Sequence, residues 1–231
     1  MTNSSGINSN SVSNLILAYL LDTEKKLLIK YCNKNKTRRT YENHFKYAKD
    51  LESQNILILG FGNITKNLIK KLDKLNVKYQ IFSKRNLKRK NVINERKLYK
   101  NLNKYDTIIN LLKLNNNNLN FISNSFLKKV KNNINLIFTG RIQTVDLNSL
   151  YNFLKTNQNS FAYIDAETKG NEVALLKKIN LLKNSYITPH IGGYFKNYWK
   201  YQSKLFNKNL SLYKNNKELI NNVVVNKNNF L

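Results

Sequence analysis

The chain has 231 residues, of which 41% are hydrophobic and 11% aromatic, enough to form a hydrophobic core. It has one cysteine and two histidines, too few for a disulfide framework or a structural zinc site. The formal net charge is +27, but the lysines are scattered through every segment, which does not favour specific nucleic-acid binding. No apolar run reaches the length of a membrane span, and the first residues lack a signal-peptide pattern. We therefore expect a cytoplasmic protein.

The amino-terminal region predicts a helix followed by a polar stretch. Apolar residues between positions 11 and 31 recur with a helical period, which indicates an amphipathic helix with a broad apolar face. Residues 32–54 are polar and predict a loop with some helix.

Residues 55–83 predict a β-α-β unit, with strands at 55–59 and 78–83 around an amphipathic helix at 63–75. Further strands are predicted at 106–112, 135–140, 161–165 and 185–189, and further helices at 122–131, 146–157 and 198–215. Strands that alternate with helices form parallel sheets covered on both faces. We therefore predict a single α/β domain with a Rossmann-type, doubly wound parallel sheet.

The sequence GFGNIT at 60–65 follows the first strand of this unit and opens its helix, the position of a dinucleotide-binding turn. Gly60 would allow the tight turn and Gly62 a close approach to a pyrophosphate. The amide groups of Asn63 and Ile64 would point at the phosphates. The third glycine of this pattern is replaced by Thr65, and an ordinary tight turn is the alternative interpretation.

The second strand ends at Ser83, which is followed by Lys84 and Arg85. Folds that prefer NAD usually place an acid here to bind the ribose hydroxyls. A hydroxyl beside two cations suits a 2′-phosphate better. The sequence therefore allows NAD or NADP and slightly favours NADP.

The order of NILILGFGNIT, NLIFTGRIQTVD, FAYIDAE and ITPHIGG resembles the D-isomer-specific 2-hydroxyacid dehydrogenases. The resemblance implies an NAD(P)-binding domain that transfers hydride between nicotinamide and a small 2-oxo or 2-hydroxy acid. It also implies a homodimer, and it divides the domain into a dimerisation-type helix and loop (1–50), a Rossmann core (54–193) and a carboxyl-terminal helix and tail (194–231).

Members of this family also have an N-terminal flavodoxin-like half that closes over the substrate, and the resemblance begins after it. Three explanations stay open: a natural truncation, a second chain that supplies this half, or a start assigned too late.

The resemblance also assigns the site residues. Arg141 corresponds to the arginine that binds the 2-oxo acid carboxylate, and His190 to the acid/base that exchanges a proton with the substrate oxygen. Thr139, Asp165 and Gly192 correspond to cofactor-binding positions, with the Asp165 carboxylate on the nicotinamide carboxamide.

The family's catalytic acid falls at position 170, which is glycine in this chain. Glu167 and Glu172 lie on either side, and we predict that Glu172 reaches His190. Two other departures are Lys113, where the family has proline, and Ile142, where it has a glycine that comes near the nicotinamide.

Two alternative functions stay open. One is a catalytically reduced dinucleotide-binding or assembly protein of the same fold. The other is a nucleic-acid binder, whose affinity would fall steeply with salt and would not be competed by a dinucleotide.

Overall fold

The computed structural model describes residues 2–26, 28, 50–85, 87–167, 170 and 172–222. Most of the predicted polar loop at 32–54 and the end of the predicted tail lie outside these ranges. Within them, no helix is long and apolar enough to cross a lipid bilayer.

Seven parallel strands form one sheet in the described part of the chain. They are β1 (Ile56–Leu59), β2 (Tyr79–Phe82), β3 (Val92–Ile93), β4 (Thr107–Asn110), β5 (Asn135–Phe138), β6 (Phe161–Asp165) and β7 (Ser185–Thr188). Their spatial order is β3-β2-β1-β4-β5-β6-β7, and every pairing is parallel. Because the order reverses between β1 and β4, the carboxyl ends of these strands border the crevice where doubly wound sheets bind ligands.

Helices cover both faces of the sheet. They are α1 (Ser9–Lys25), α2 (Asn63–Lys74), α3 (Glu95–Asn101), α4 (Asn124–Leu127), α5 (Leu147–Thr156), α6 (Val173–Asn180) and α7 (Tyr198–Lys214). Apolar residues of α1 and α2 share one core cluster, and those of α3 to α6 share the other. The predicted Rossmann-type α/β fold is confirmed.

The strands divide their side chains between these two clusters. In β1, Leu57 and Leu59 pack with α3 to α6, whereas Ile56 and Ile58 pack with α1 and α2. All four are at most 1% exposed. Successive side chains of a strand point to opposite faces, so a strand buried on both faces is a continuous apolar run. These continuous apolar runs made the central strands predictable from the sequence.

Several predicted boundaries differ from the structure. The helix α1 ends at Lys25, because Lys26 has a left-handed φ of 57° and its N–H bonds to the Asp22 carbonyl. The rest of the predicted stretch, apart from Leu28, lies outside the described residues. The predicted helix at 122–131 shortens to α4, while β3, α3 and α6 were not predicted.

Candidate cofactor and active site

Gly60 makes the turn that leaves β1 at the switch point of the sheet. Its φ is +101°, and its N–H donates to the Phe82 carbonyl of β2 at 2.9 Å. A Cβ at this position would lie 2.7 Å from the Leu111 carbonyl oxygen. Both the positive φ and the close approach of a neighbouring backbone therefore require glycine.

Gly62 precedes the first residue of α2 and faces open space. Nothing lies within 4 Å of a Cβ built on it, and no side chain caps the helix. The first amide groups of a helix have no intrahelical acceptor, and the helix dipole is positive there. This end of α2 can therefore accept an anionic group such as a phosphate.

Thr65 replaces the third glycine of the turn and is accommodated. The residue is fully buried, and its hydroxyl donates to the Gly60 carbonyl at 2.9 Å. The Thr65 side chain thus links the glycine turn at Gly60 to the start of α2. Ile64 packs against the core cluster shared by α1 and α2.

The Asn63 side chain contacts the amino-terminal segment of the chain. Its amide donates to the Ser5 hydroxyl at 3.2 Å, and Gly6 lies beside the same amide. The segment that precedes α1 therefore lies next to the glycine turn. No pattern in the sequence predicted this contact.

The predicted cations after β2 point toward the crevice. The Arg85 guanidinium donates to the Phe61 carbonyl within the glycine turn, and its backbone N–H bonds to the Ser83 hydroxyl at 3.1 Å. The Lys84 amine lies 3.4 Å from the Asn117 carbonyl, in the loop after β4. Both cations thus border the switch point.

Two more cations join this group and were missed by sequence reasoning. Arg89 lies 5.5 Å and Lys66 5.9 Å from the Phe61 ring centroid. The aromatic residue Phe61 at the centre of the turn could have indicated this group, since the faces of aromatic rings attract cations.

His190 lies in the loop that follows β7, and its backbone is strained. Its φ is +54°, and its N–H donates to the Thr188 carbonyl at 2.9 Å. A left-handed φ costs a residue with a side chain about 1–2 kcal/mol, so surrounding contacts must hold it. The side chain is 41% exposed.

Asp165 supplies those contacts. Its carboxylate accepts hydrogen bonds from the N–H groups of Ile191 (2.8 Å) and Gly192 (2.9 Å) and from the Thr188 hydroxyl (2.6 Å). A Cβ on Gly192 would lie 2.8 Å from this carboxylate, so the approach requires glycine. The residue expected to bind the nicotinamide carboxamide thus holds the His190 loop.

Among the described residues, Glu167 carries the carboxylate that lies within ion-pair distance of the His190 ring. Its Oε1 lies 3.9 Å from His190 Nδ1, within the range of an ion pair and beyond a direct hydrogen bond. Glu172, the predicted partner, instead precedes α6, and one of its carboxylate oxygens lies close to Gly170. Glu172 therefore reaches the same cleft but not the histidine.

One small cleft collects the predicted reactive groups. Its lining residues are Gly140, Arg141, Ile142, Gln143, Ala166, Glu167, Glu172 and His190. Arg141 is exposed, and its guanidinium has no hydrogen bond or ion pair to the described residues. Ile142, which stands where the family has a glycine, lines this cleft and also packs in the hydrophobic core, with 7% of its surface exposed.

Thr139 lies immediately after β5 and carries a buried hydroxyl. Its Oγ1 has no hydrogen-bond partner among the described residues, and the residue is 8% exposed. Buried polar atoms normally have a partner, so this hydroxyl is suited to a bound ligand. The open end of α2, the crevice cations and this hydroxyl together fit a dinucleotide.

A parallel sheet whose order reverses beside a glycine turn is the architecture of a dinucleotide-binding domain. The family model described as "D-isomer specific 2-hydroxyacid dehydrogenase, NAD binding domain" matches residues 17–192, more than half of the chain. The chain therefore belongs to this family, whose members act on small 2-hydroxy acids. No curated protein matches it by sequence.

The fold is shared with solved structures, three of which compare with this chain as follows. D-mandelate dehydrogenase from Rhodotorula graminis is 17% identical, with a TM-score of 0.83 over 97% of this chain and 68% of its own. D-lactate dehydrogenase from Lactobacillus jensenii, solved with NAD+, is 16% identical, with a TM-score of 0.82 over 97% of this chain and 71% of its own. A D-isomer specific 2-hydroxyacid dehydrogenase from Xanthobacter autotrophicus Py2, in complex with NADPH and MES, is 14% identical, with a TM-score of 0.77 over 97% of this chain and 91% of its own.

Proposed function

We propose that this chain catalyses the reversible reduction of a small 2-oxo acid to a 2-hydroxy acid with NAD(P)H. The observation that carries this proposal is the cleft lined by Arg141, His190 and Glu167, at the carboxyl ends of β5, β6 and β7, on the same edge of the sheet as the glycine turn. Membership of the dehydrogenase family supports the same reaction.

Each of the three side chains has a distinct task. The planar Arg141 guanidinium binds the substrate carboxylate with two parallel hydrogen bonds. His190 gives a proton from Nε2 to the substrate oxygen during reduction and takes it back during oxidation. Glu167, whose Oε1 faces Nδ1, orients the ring. A bound nicotinamide supplies or accepts the hydride.

Cofactor binding is assigned to the glycine turn and the residues around it. The amide groups that follow Gly62 hold the pyrophosphate, and the Thr139 hydroxyl meets the nicotinamide half. We propose a preference for NADP(H), because Ser83, Lys84 and Arg85 surround the position of the adenosine ribose.

Oligomeric state, domain division and location complete the proposal. We propose a cytoplasmic homodimer formed through the 1–50 region, in which Leu21 of α1 is 49% exposed. The 54–193 core and the 194–231 tail then complete one NAD(P)-binding domain. Light scattering during gel filtration distinguishes a dimer from a monomer.

A second candidate is a dinucleotide-binding protein with reduced or absent catalysis. The 3.9 Å gap between His190 and Glu167, together with the 65% exposure of the Glu167 side chain, favours it. Solvent weakens an exposed ion pair, which leaves the histidine less firmly oriented.

Cofactor titration followed by turnover separates these candidates. NADPH and NADH fluorescence is followed on addition of protein, and glyoxylate, hydroxypyruvate or pyruvate is then added. We expect saturable binding, tighter for NADPH, and turnover that His190→Ala abolishes without loss of binding. Binding without turnover supports the second candidate, and no binding to either cofactor contradicts both.

Two matched glutamate variants test the assignment of the acid. Glu167→Gln and Glu172→Gln make the same chemical change in the same cleft. We expect Glu167→Gln to lower kcat by about 10²-fold, a typical contribution of acid–base catalysis, and Glu172→Gln to lower it by less than about threefold. The reverse order would return the role to Glu172.

A further inference from the structure

The loop that carries His190 is connected to α1 by a chain of hydrogen bonds. The Tyr19 hydroxyl lies 2.7 Å from Thr188 Oγ1, which lies 2.6 Å from Asp165 Oδ1. A carboxylate only accepts hydrogen bonds, so the Thr188 hydroxyl donates to Asp165. The Tyr19 hydroxyl therefore donates to Thr188.

Asp165 connects this chain of hydrogen bonds to the backbone of the His190 loop. It accepts the N–H groups of Ile191 and Gly192 at 2.8 and 2.9 Å, the two residues that follow His190. Because His190 has a left-handed φ of +54°, its conformation depends on such contacts. Tyr19 thus lies at the far end of the network that fixes this strained residue.

The surroundings of Tyr19 keep its hydroxyl in place and protonated. The residue is 1% exposed, and its ring centroid lies 5.3 Å from that of Tyr163 and 6.4 Å from that of Tyr186. Burial raises the pKa of Tyr19 above its ordinary value. The phenol therefore remains a hydrogen-bond donor throughout the neutral range.

We propose that Tyr19 is a positioning residue, which through Thr188 and Asp165 fixes the loop that presents His190 to the substrate. This inference rests on the proposed function for the role of His190. It also assigns to the Asp165 carboxylate the hydrogen bonds that hold this loop. The first helix, some 170 positions earlier in the sequence, thereby controls the geometry of the acid/base.

Tyr19→Phe tests the proposal, with Tyr163→Phe as the matched control. Tyr163 is equally buried and packs on Tyr19, but its hydroxyl donates to Asp22 at 2.6 Å and not to the loop. We expect Tyr19→Phe to speed amide exchange at Ile191 and Gly192 about tenfold, as for one lost hydrogen bond. We also expect kcat to fall about tenfold, with the dinucleotide Kd unchanged within about twofold.

Thr188 variants and the exchange measurement keep the test independent of turnover. Thr188→Val removes the hydrogen bonds to both Tyr19 and Asp165 and should speed exchange at least as much as Tyr19→Phe, whereas Thr188→Ser, which retains the hydroxyl, should keep the wild-type exchange rates. The proposal is overturned if Tyr19→Phe leaves exchange at both amides unchanged, or if Tyr163→Phe speeds it equally. If the wild-type protein shows no turnover, the proposed function fails, while the exchange rates still decide the role of Tyr19.

Discussion

Gly60 and Gly62 belong to one turn, but a side chain would meet different surroundings at each. Gly60 has a positive φ and lies against the backbone of Leu111. Gly62 has an extended backbone, with φ −121° and ψ −166°, and nothing near its Cβ position. The fold therefore requires the first glycine, whereas an approaching ligand would require the second.

Gly60→Ala and Gly62→Ala should separate folding from binding. We expect Gly60→Ala to lower the free energy of unfolding by about 2–4 kcal/mol, from the left-handed strain and the clash with Leu111. Gly62→Ala should cost less than about 1 kcal/mol but weaken dinucleotide binding at least about tenfold, because its Cβ occupies the path of the pyrophosphate. Urea unfolding and cofactor fluorescence measure the two effects. Equal losses of stability would contradict this division.

The glutamate beside His190 shows which parts of the site could be predicted from sequence spacing alone. The family's spacing leads to Gly170 and hence to its neighbours, from which Glu172 was chosen. In an extended chain, side chains two positions apart lie on the same side. Glu167 therefore lies on the same side as Asp165, which the sequence already assigned to the site, and this spacing favoured Glu167 as the partner of His190. The loop contacts of Asp165, by contrast, depend on a strand more than twenty positions later and had no local signal.

The helices α2 and α7 bury very different numbers of side chains. In α2, Thr65, Leu68, Ile69 and Leu72 are buried. In α7, which is longer, Asn209 alone is buried among its residues. Its large exposed side chains are Trp199, Tyr201, Phe206, Leu210 and Tyr213. Packing, more than helix propensity, stabilises helices in proteins.

We therefore expect α7 to open more readily than α2. Local opening is easiest where few apolar contacts are buried, so amide protection factors in α7 should be at least about tenfold lower than in α2. Hydrogen exchange followed by mass spectrometry, with peptides from both helices in one digest, provides the comparison. Equal protection would mean that α7 is held by contacts beyond those of the described residues.

The central strands and the helices α1, α2 and α5 were predictable because burial on both faces of a strand, or along one side of a helix, produces a regular pattern of apolar residues in the sequence. The elements that escaped prediction lack that pattern. The strand β3 has two residues, and in α3 only Leu98 is buried. In α6, Leu176 and Ile179 are buried beside a polar loop, which masked the helical period. The central crevice was thus predictable, and the elements at its edges were not.

For the molecule as a whole, the main electrostatic feature is a large excess of positive charge. The chain has 40 lysines and arginines and 13 acids, a formal net charge of +27. Like charges brought together by folding repel one another and oppose the compact state. The hydrophobic core of the two clusters must therefore stabilise the fold against a repulsion that depends on ionic strength.

Added salt should stabilise this protein. The Debye length falls from about 30 Å at 0.01 M to about 10 Å at 0.1 M, so repulsion between cations on different elements is screened over that range. We expect Tm to rise by several degrees between 10 and 200 mM NaCl, since about 1 kcal/mol shifts Tm by about 2–4 °C in a chain of this size. Urea unfolding at the same salt concentrations should show a higher midpoint at an unchanged m-value, because screening changes stability without changing the surface exposed. A Tm that stays level or falls would instead mean that specific ion pairs, which salt weakens, outweigh the general repulsion.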